Sequence, residues 1–466
     1  MSYALIDNAS LTAVERVLGN IVIKNTDTIN GDLVAFENLI QAILFYDRLF
    51  CIDNYKYEYK KSRAKKFDFI KFLSPDEFQL SEINELARKE SELIRPEIRG
   101  GEFADEDFKR FLEALKMNIV CTWDMCSSIY YLTMKMLGQP YTEEYRKYSE
   151  LSAAIFNELF DVKTTSGRWA NDVTLIGSNG HKHTQNEFDQ QKNNLGGITI
   201  ALEMFIASLN WLAFKSIYYS LAANYLRADT FIHPIRHAYQ IHWMKKTGAF
   251  EHDFTSRLIR NLSEKISSSV SEIKNHGRST TLSLDLPIFS AWLTRESGSI
   301  NNILQSALEL RKSDHFLVAR ETVREIRIAF DEYGVAKGNK KTTKLISDLD
   351  KITGDLKRSY GIPSQQGIQG SFLIKTINTC TAFAGIPPFP DRDFALSTPE
   401  FLQSEKRKAF SMIFKNIANE LTAIERLGSL HTAMASSFKI GKNPHSGVKT
   451  ENPIYSNRSS NWKLPM

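Results

Sequence analysis

The chain has 466 residues, 42% hydrophobic, 11% aromatic and 24% charged. That is the balance of an ordinary globular protein with a sizeable core, and it excludes wholesale disorder, a collagen-like repeat and a disulfide scaffold. Fifty-nine Lys and Arg against fifty-four Asp and Glu leave a net charge of +5, so only local clustering can argue for a polyanionic partner.

The first residues, 1–19, carry Asp7 and Glu15 and lack the basic start and unbroken apolar run of a secretory signal. Four cysteines, Cys51, Cys121, Cys126 and Cys380, include no CxxC pair and predict reduced thiols in a cytoplasmic protein. Short β-branched or aromatic runs at 20–24 and 48–53 predict strands, and helical spacing after Gly31-Asp32 predicts a helix over 32–46. Residues 1–80 therefore read as a small mixed α/β N-terminal region.

From Ser81 the spacing is nearly all helical: 81–94, a helix from Asp105 to about Gly138, and 142–160. The Gly-, Asn- and His-rich segment 166–197 predicts an irregular insertion. Residues 196–226 are apolar on every side but interrupted by Glu203, Asn210 and Lys215. This predicts a buried central helix, with no membrane partner. Helices at 234–246 and 253–274 complete a central helical bundle over 81–280. Further helical patterns at 303–311, 315–333, 342–360 and 399–427 give a C-terminal helical region over 281–438, and the polar stretch 439–466 predicts a flexible tail. The fold class expected is mainly α, a multi-helix bundle with the mixed region at its start.

Six of the ten histidines, His181, His183, His233, His237, His242 and His252, fall close together. No HExxH or comparable signature joins them, so the sequence assigns no metal and no cofactor. Residues 225–243 (YLRADTFIHPIRHAYQIHW) hold the densest collection of catalysis-capable side chains. Pro234 suits a first helical position, which predicts a short helix carrying Arg236, His237 and His242.

Arg236-His237, four intervening residues and His242 are similar to the arginine, polar residue, spacer, histidine motif of the HEPN ribonuclease superfamily. The resemblance covers seven residues in a helical setting. It implies a prokaryotic toxin or phage-defence protein that cleaves RNA without a metal. Arg236 would clamp the phosphate, His242 would serve as acid/base with His237 beside it, and two copies would pair as a homodimer. A guanidinium matches two phosphate oxygens and an imidazole titrates near neutrality, so the residue types suit that chemistry. On one helix, however, six residues separate the two groups by about 120°. The same residues also read as a structural Arg/His cluster that satisfies buried carbonyls and carboxylates.

A second feature is YKYEYKKSRAKKFDFIKF at 55–72, in which Lys60, Lys61, Arg63, Lys65 and Lys66 lie between aromatics at 55–59 and 67–72. Lysine and arginine bind phosphates and aromatic faces stack on unpaired bases, which predicts an RNA-binding surface. An amphipathic edge strand or hairpin whose lysines discourage edge pairing is the other reading. A non-catalytic scaffold subunit that docks a partner protein or nucleic acid also fits the helical pattern.

Overall fold

In the computed structural model, the residues described are 1–23, 29–54, 60–75, 80–95, 198–247, 287–328, 404–422 and 437–440. To these are added short stretches or single positions within 98–103, 175–183 and 259–272 and at 354 and 358. The helices expected at 105–138 and 142–160, all of 342–360 but positions 354 and 358, most of the insertion at 166–197, the tail beyond 440, and Cys121, Cys126, Cys380 and His252 lie outside them.

Four short strands build a parallel sheet: β1 (Tyr3–Ile6), β2 (Arg48–Ile52), β3 (Ile70–Leu73) and β4 (Asp229–Phe231), in the order β3-β2-β1-β4. Tyr3 pairs with Arg48, Leu49 with Ile70, and Ala4 with Asp229. Their apolar runs do not alternate, as expected of a parallel sheet covered on both faces. Helices α1 (Asn8–Val17) and α2 (Ile29–Phe45) link β1 to β2, and α3 (Lys60–Lys66) links β2 to β3. After β3 come α4 (Leu80–Leu93) and then α5 (Ile198–Tyr225), which leads into β4 and α6 (Pro234–Thr247). Two-residue antiparallel ribbons pair Ile98–Arg99 with Glu102–Phe103 and Leu175–Ile176 with Lys182–His183.

The fourth strand comes from the centre of the chain, so the first eighty residues and the helices that follow share one sheet. Of the described residues 73% are helical, and the fold is mainly α with a small α/β region.

The C-terminal helices α7 (Ile288–Ser297), α8 (Ile303–Leu310), α9 (314–328) and α10 (Ser404–Thr422) add a further layer. Both α7 and α8 pack on α2. Helix α2 is buried almost all round, with Phe36, Leu39, Ile40 and Ile43 inaccessible to solvent. At its end Phe45 meets Phe289 and Phe316 edge-on. Polar groups fix the same contact. Glu37 of α2 accepts from the Phe289 and Ser290 N–H groups and the Ser290 hydroxyl, capping α7 from outside its own segment. Burial outweighs these hydrogen bonds and pushes the Glu37 carboxyl above its ordinary pKa. Arg311 donates in turn to the Tyr46 and Asp47 carbonyls that follow α2.

Several expectations change here. The strand expected at 20–24 reduces to one bridge, Ile23 to Ile440. Its partner lies in the expected tail, whose first residues are held: Ile23 donates to the Lys439 carbonyl, and just before the tail Ser437 donates to the Val17 carbonyl. Of the edge-strand reading of 55–72, Ile70–Leu73 is indeed an edge strand of the sheet, Lys60–Lys66 is instead a helix, and 55–59 lie outside the described residues. Ala, Lys and Arg favour helix, and KKSRAKK lacks the alternation of a strand.

Candidate functional site

In an open parallel sheet the crevice for ligands lies beyond the carboxyl ends of the strands, where the chain order reverses. Here the reversal falls between β1 and β4, and the residues that emerge are Asp7-Asn8 after β1, Asp53-Asn54 after β2 and Ile232-His233 after β4.

Asp7 ties two of these turns together. It is the N-cap of α1, accepting from the Ser10 N–H at 2.9 Å, and it also accepts from the His233 N–H at 3.1 Å and from Arg236 Nη1 at 2.8 Å. Asp7 is 0% and Arg236 4% exposed, so this is a buried ion pair with its carboxylate satisfied by three donors. The Arg236 guanidinium lies 5.1 Å over the Tyr219 ring. Burial first, then the Arg16 and Arg236 cations, push the His233 imidazole down to about 3.

A second polar chain runs from the sheet towards solvent. Asn8 Nδ2 donates to Asn54 Oδ1 at 2.6 Å, and the Tyr219 hydroxyl donates to the same oxygen at 3.1 Å. Burial pushes the Tyr219 hydroxyl and the Cys51 thiol well up, so both are protonated at neutral pH.

The three residues of the arginine–histidine motif all lie on α6, and all are buried. His237 Nε2 stands 2.8 Å from Arg260 Nη1, and its Nδ1 stands 3.1 Å from Gln240 Oε1. Arginine can only donate, so Nε2 is the accepting nitrogen and Nδ1 carries the proton. Gln240 continues the chain to Thr230 on β4. His242 is 7% exposed. The helix sets it about 120° round from Arg236 and about 9 Å along the axis. The side chains are thus in one helix but not at one opening. Arg236 is held by Asp7 and His237 by Arg260.

The lysine-rich segment divides in two. Arg63 is 2% exposed. It donates to the Asn8 carbonyl and Oδ1, to Thr12 Oγ1 and to Glu15 Oε2, and so rivets α3 to α1. It is therefore part of the interior and not of the surface expected from its sequence neighbours. Lys66 reaches Glu15 at 2.6 Å, and Lys60 donates to the Asp53 carbonyl at 2.6 Å. Lys61 and Lys65, four apart on the outer face of α3, are exposed and make no ion pair among the described residues, as is also true of Lys71 on β3. Half-buried Phe69 and Phe72 flank them.

Asp7, Asn8, Asp53, Asn54 and Tyr219 were not singled out from the sequence. The available signal was an apolar triplet followed by Asp-Asn twice, at ALIDN and FCIDN. Among the described residues no group of three or more His, Cys, Asp or Glu side chains stands close enough to hold a metal ion, and no helix is long and apolar enough to cross a membrane.

Fold and site together define a mainly helical protein with a parallel α/β core, a buried ion-pair cluster at the strand ends and a lysine-bearing helix beside it. No protein-family model, curated protein or solved structure matches the chain.

Proposed function

We propose that this chain is a non-catalytic nucleic-acid-binding protein that holds single-stranded RNA on the lysine face of α3, beside the carboxyl edge of the sheet. The observation that carries the reading is the contrast between its cations. Arg16, Arg63, Arg236 and Arg327 are buried and each pairs with a carboxylate, whereas Lys61, Lys65 and Lys71 are exposed and unpaired among the described residues. Exposed lysines release counterions from a phosphate backbone, and the neighbouring half-buried Phe69 and Phe72 are aromatic partners for stacked bases.

The ribonuclease implied by the arginine–histidine motif, with its toxin or defence role and its homodimer, needs Arg236 and His242 at one phosphodiester. Freeing Arg236 would strand the buried Asp7 carboxylate, a cost of about 3–5 kcal/mol. Binding without cleavage avoids that cost.

Fluorescence anisotropy with labelled single-stranded RNA, followed by a denaturing gel of the same samples in EDTA, tests the reading. The expected result is intact RNA, with affinity reduced about tenfold or more at low salt by Lys61→Glu together with Lys65→Glu. Affinity unchanged by the charge reversal overturns the proposal. Cleavage that His242→Ala abolishes overturns it in favour of the ribonuclease.

A further inference from the structure

A cleft between α4 and α5 lies apart from the strand-end cluster, lined by Arg88, Ser91 and Arg95 on one side and Asn210, Trp211 and Phe214 on the other, with Glu92 also on its wall. We infer that this cleft is a binding site for a small oxyanion of the phosphate kind.

Two buried donors without acceptors sit on its lining residues. Trp211 is 2% exposed, and its indole Nε1–H has no hydrogen-bond acceptor. Arg88 Nε is also buried and lacks one: Glu85 Oε1 stands 3.7 Å away, an ion-pair distance too long for a hydrogen bond. Buried polar groups in folded proteins are almost always satisfied, so two orphaned donors at one cleft point to an acceptor that arrives from outside. Neither an indole N–H nor a guanidinium carries a lone pair to offer, so the complementary ligand is rich in acceptors and negatively charged.

The remaining walls fit such a ligand. Arg95 makes no ion pair among the described residues, leaving a second guanidinium for the charge. The Arg88 guanidinium is held in place 5.1 Å over the Phe214 ring. Ser91 already donates to the Arg88 carbonyl at 2.7 Å. Glu92 is exposed on the same wall, and its charge opposes an anion, so the two guanidiniums must outweigh it. Trp211 precedes Tyr219 by eight residues on α5, about 12 Å along the helix, so the oxyanion is either free phosphate or a backbone phosphate of a strand that also crosses the carboxyl edge.

The test uses the full chain with 15N-labelled tryptophan, the Trp211 indole resonance being assigned by its disappearance in Trp211→Phe. Titration with inorganic phosphate, against chloride at equal ionic strength, is expected to shift that resonance saturably and leave the other indoles in place. Arg88→Gln with Arg95→Gln is expected to abolish the shift. Arg95→Gln alone, which leaves the Phe214 contact intact, is expected to weaken it severalfold. A shift seen only with a short RNA oligonucleotide supports the site and identifies the backbone as the source of the oxyanion. No shift with either probe, or a shift that survives the double variant, overturns the inference. Lys61→Glu with Lys65→Glu leaves the phosphate response unchanged, so this inference and the α3 reading fail separately.

Discussion

At the scale of single residues, the strand-end cluster is defined by charges that cannot be removed one at a time. Arg236→Met leaves Asp7 buried and unpaired, and is expected to cost about 3–5 kcal/mol in urea denaturation; Asp7→Asn combined with it recovers part of that loss. His233 gives the cluster a pH signature. Its imidazole is held down to about 3 in the fold but titrates near 6.5 when unfolded, so between those values the unfolded chain binds a proton that the folded chain refuses. Stability from this residue is complete above that range and falls as the pH drops through it, by at most about 1.4 kcal/mol per pH unit. Comparing His233→Gln with the parent at pH 7 and pH 5 checks this: the variant is expected to lose less stability on acidification. Gly19 has φ +71° and lies against the Ser437 carbonyl, so Gly19→Ala is both strained and obstructed. It is expected to cost more than about 1 kcal/mol and to release residues 437–440 to amide exchange. By contrast, a methyl group on Gly31 would meet the His233 ring at an ordinary 3.5 Å. Gly31→Ala within α2 is expected to be neutral or to stabilise by up to about 1 kcal/mol in thermal denaturation.

At the scale of elements, α2 is the helix on which the layers meet, and polar side chains on it and around it tie it to them. Glu37 caps α7, Arg311 caps the end of α2, and Tyr46 donates to Asp229 of β4 at 2.8 Å. Asp229 is also ion-paired with Arg327 of α9. Glu37→Ala is therefore expected to cost about 1–2 kcal/mol and to raise exchange first at the Phe289 and Ser290 amides. Several elements were legible because their period is strong. Ile198–Tyr225 is a helix with its described side chains buried from Asn210 to Ser220 and again at Ala222 and Ala223, Leu221 being half-buried, as its all-round apolar pattern and interruptions imply. Pro234 opens α6 as expected. Strands β1 and β4 were not legible. They hold four and three residues, and a buried parallel strand of that length has no alternation to distinguish it from a helical fragment.

At the scale of the whole molecule, one hydrophobic core takes residues from the N-terminal, central and C-terminal parts, among them Ile6, Phe36, Tyr219, Phe289 and Ile413. The helical class could be read from composition and period, but the convergence of Asp7, Asn54, Tyr219 and Arg236 could not. Those residues are up to 229 positions apart, and only the sheet order β3-β2-β1-β4 brings them to one edge. The lysine cluster was visible as a run of charge. Its division into a buried rivet, Arg63, and an exposed face, Lys61 and Lys65, depends on helix phase and on where Glu15 lies.

The account rests on that exposed face meeting phosphates, and the salt dependence of RNA affinity tests it most directly. The logarithm of the association constant against the logarithm of salt concentration is expected to slope downward by about 0.7 for each phosphate neutralised on a single strand. Lys61→Glu with Lys65→Glu is then expected to flatten that slope by at least about 1.4. An identical slope in parent and variant, or no RNA bound even at low salt, would contradict it.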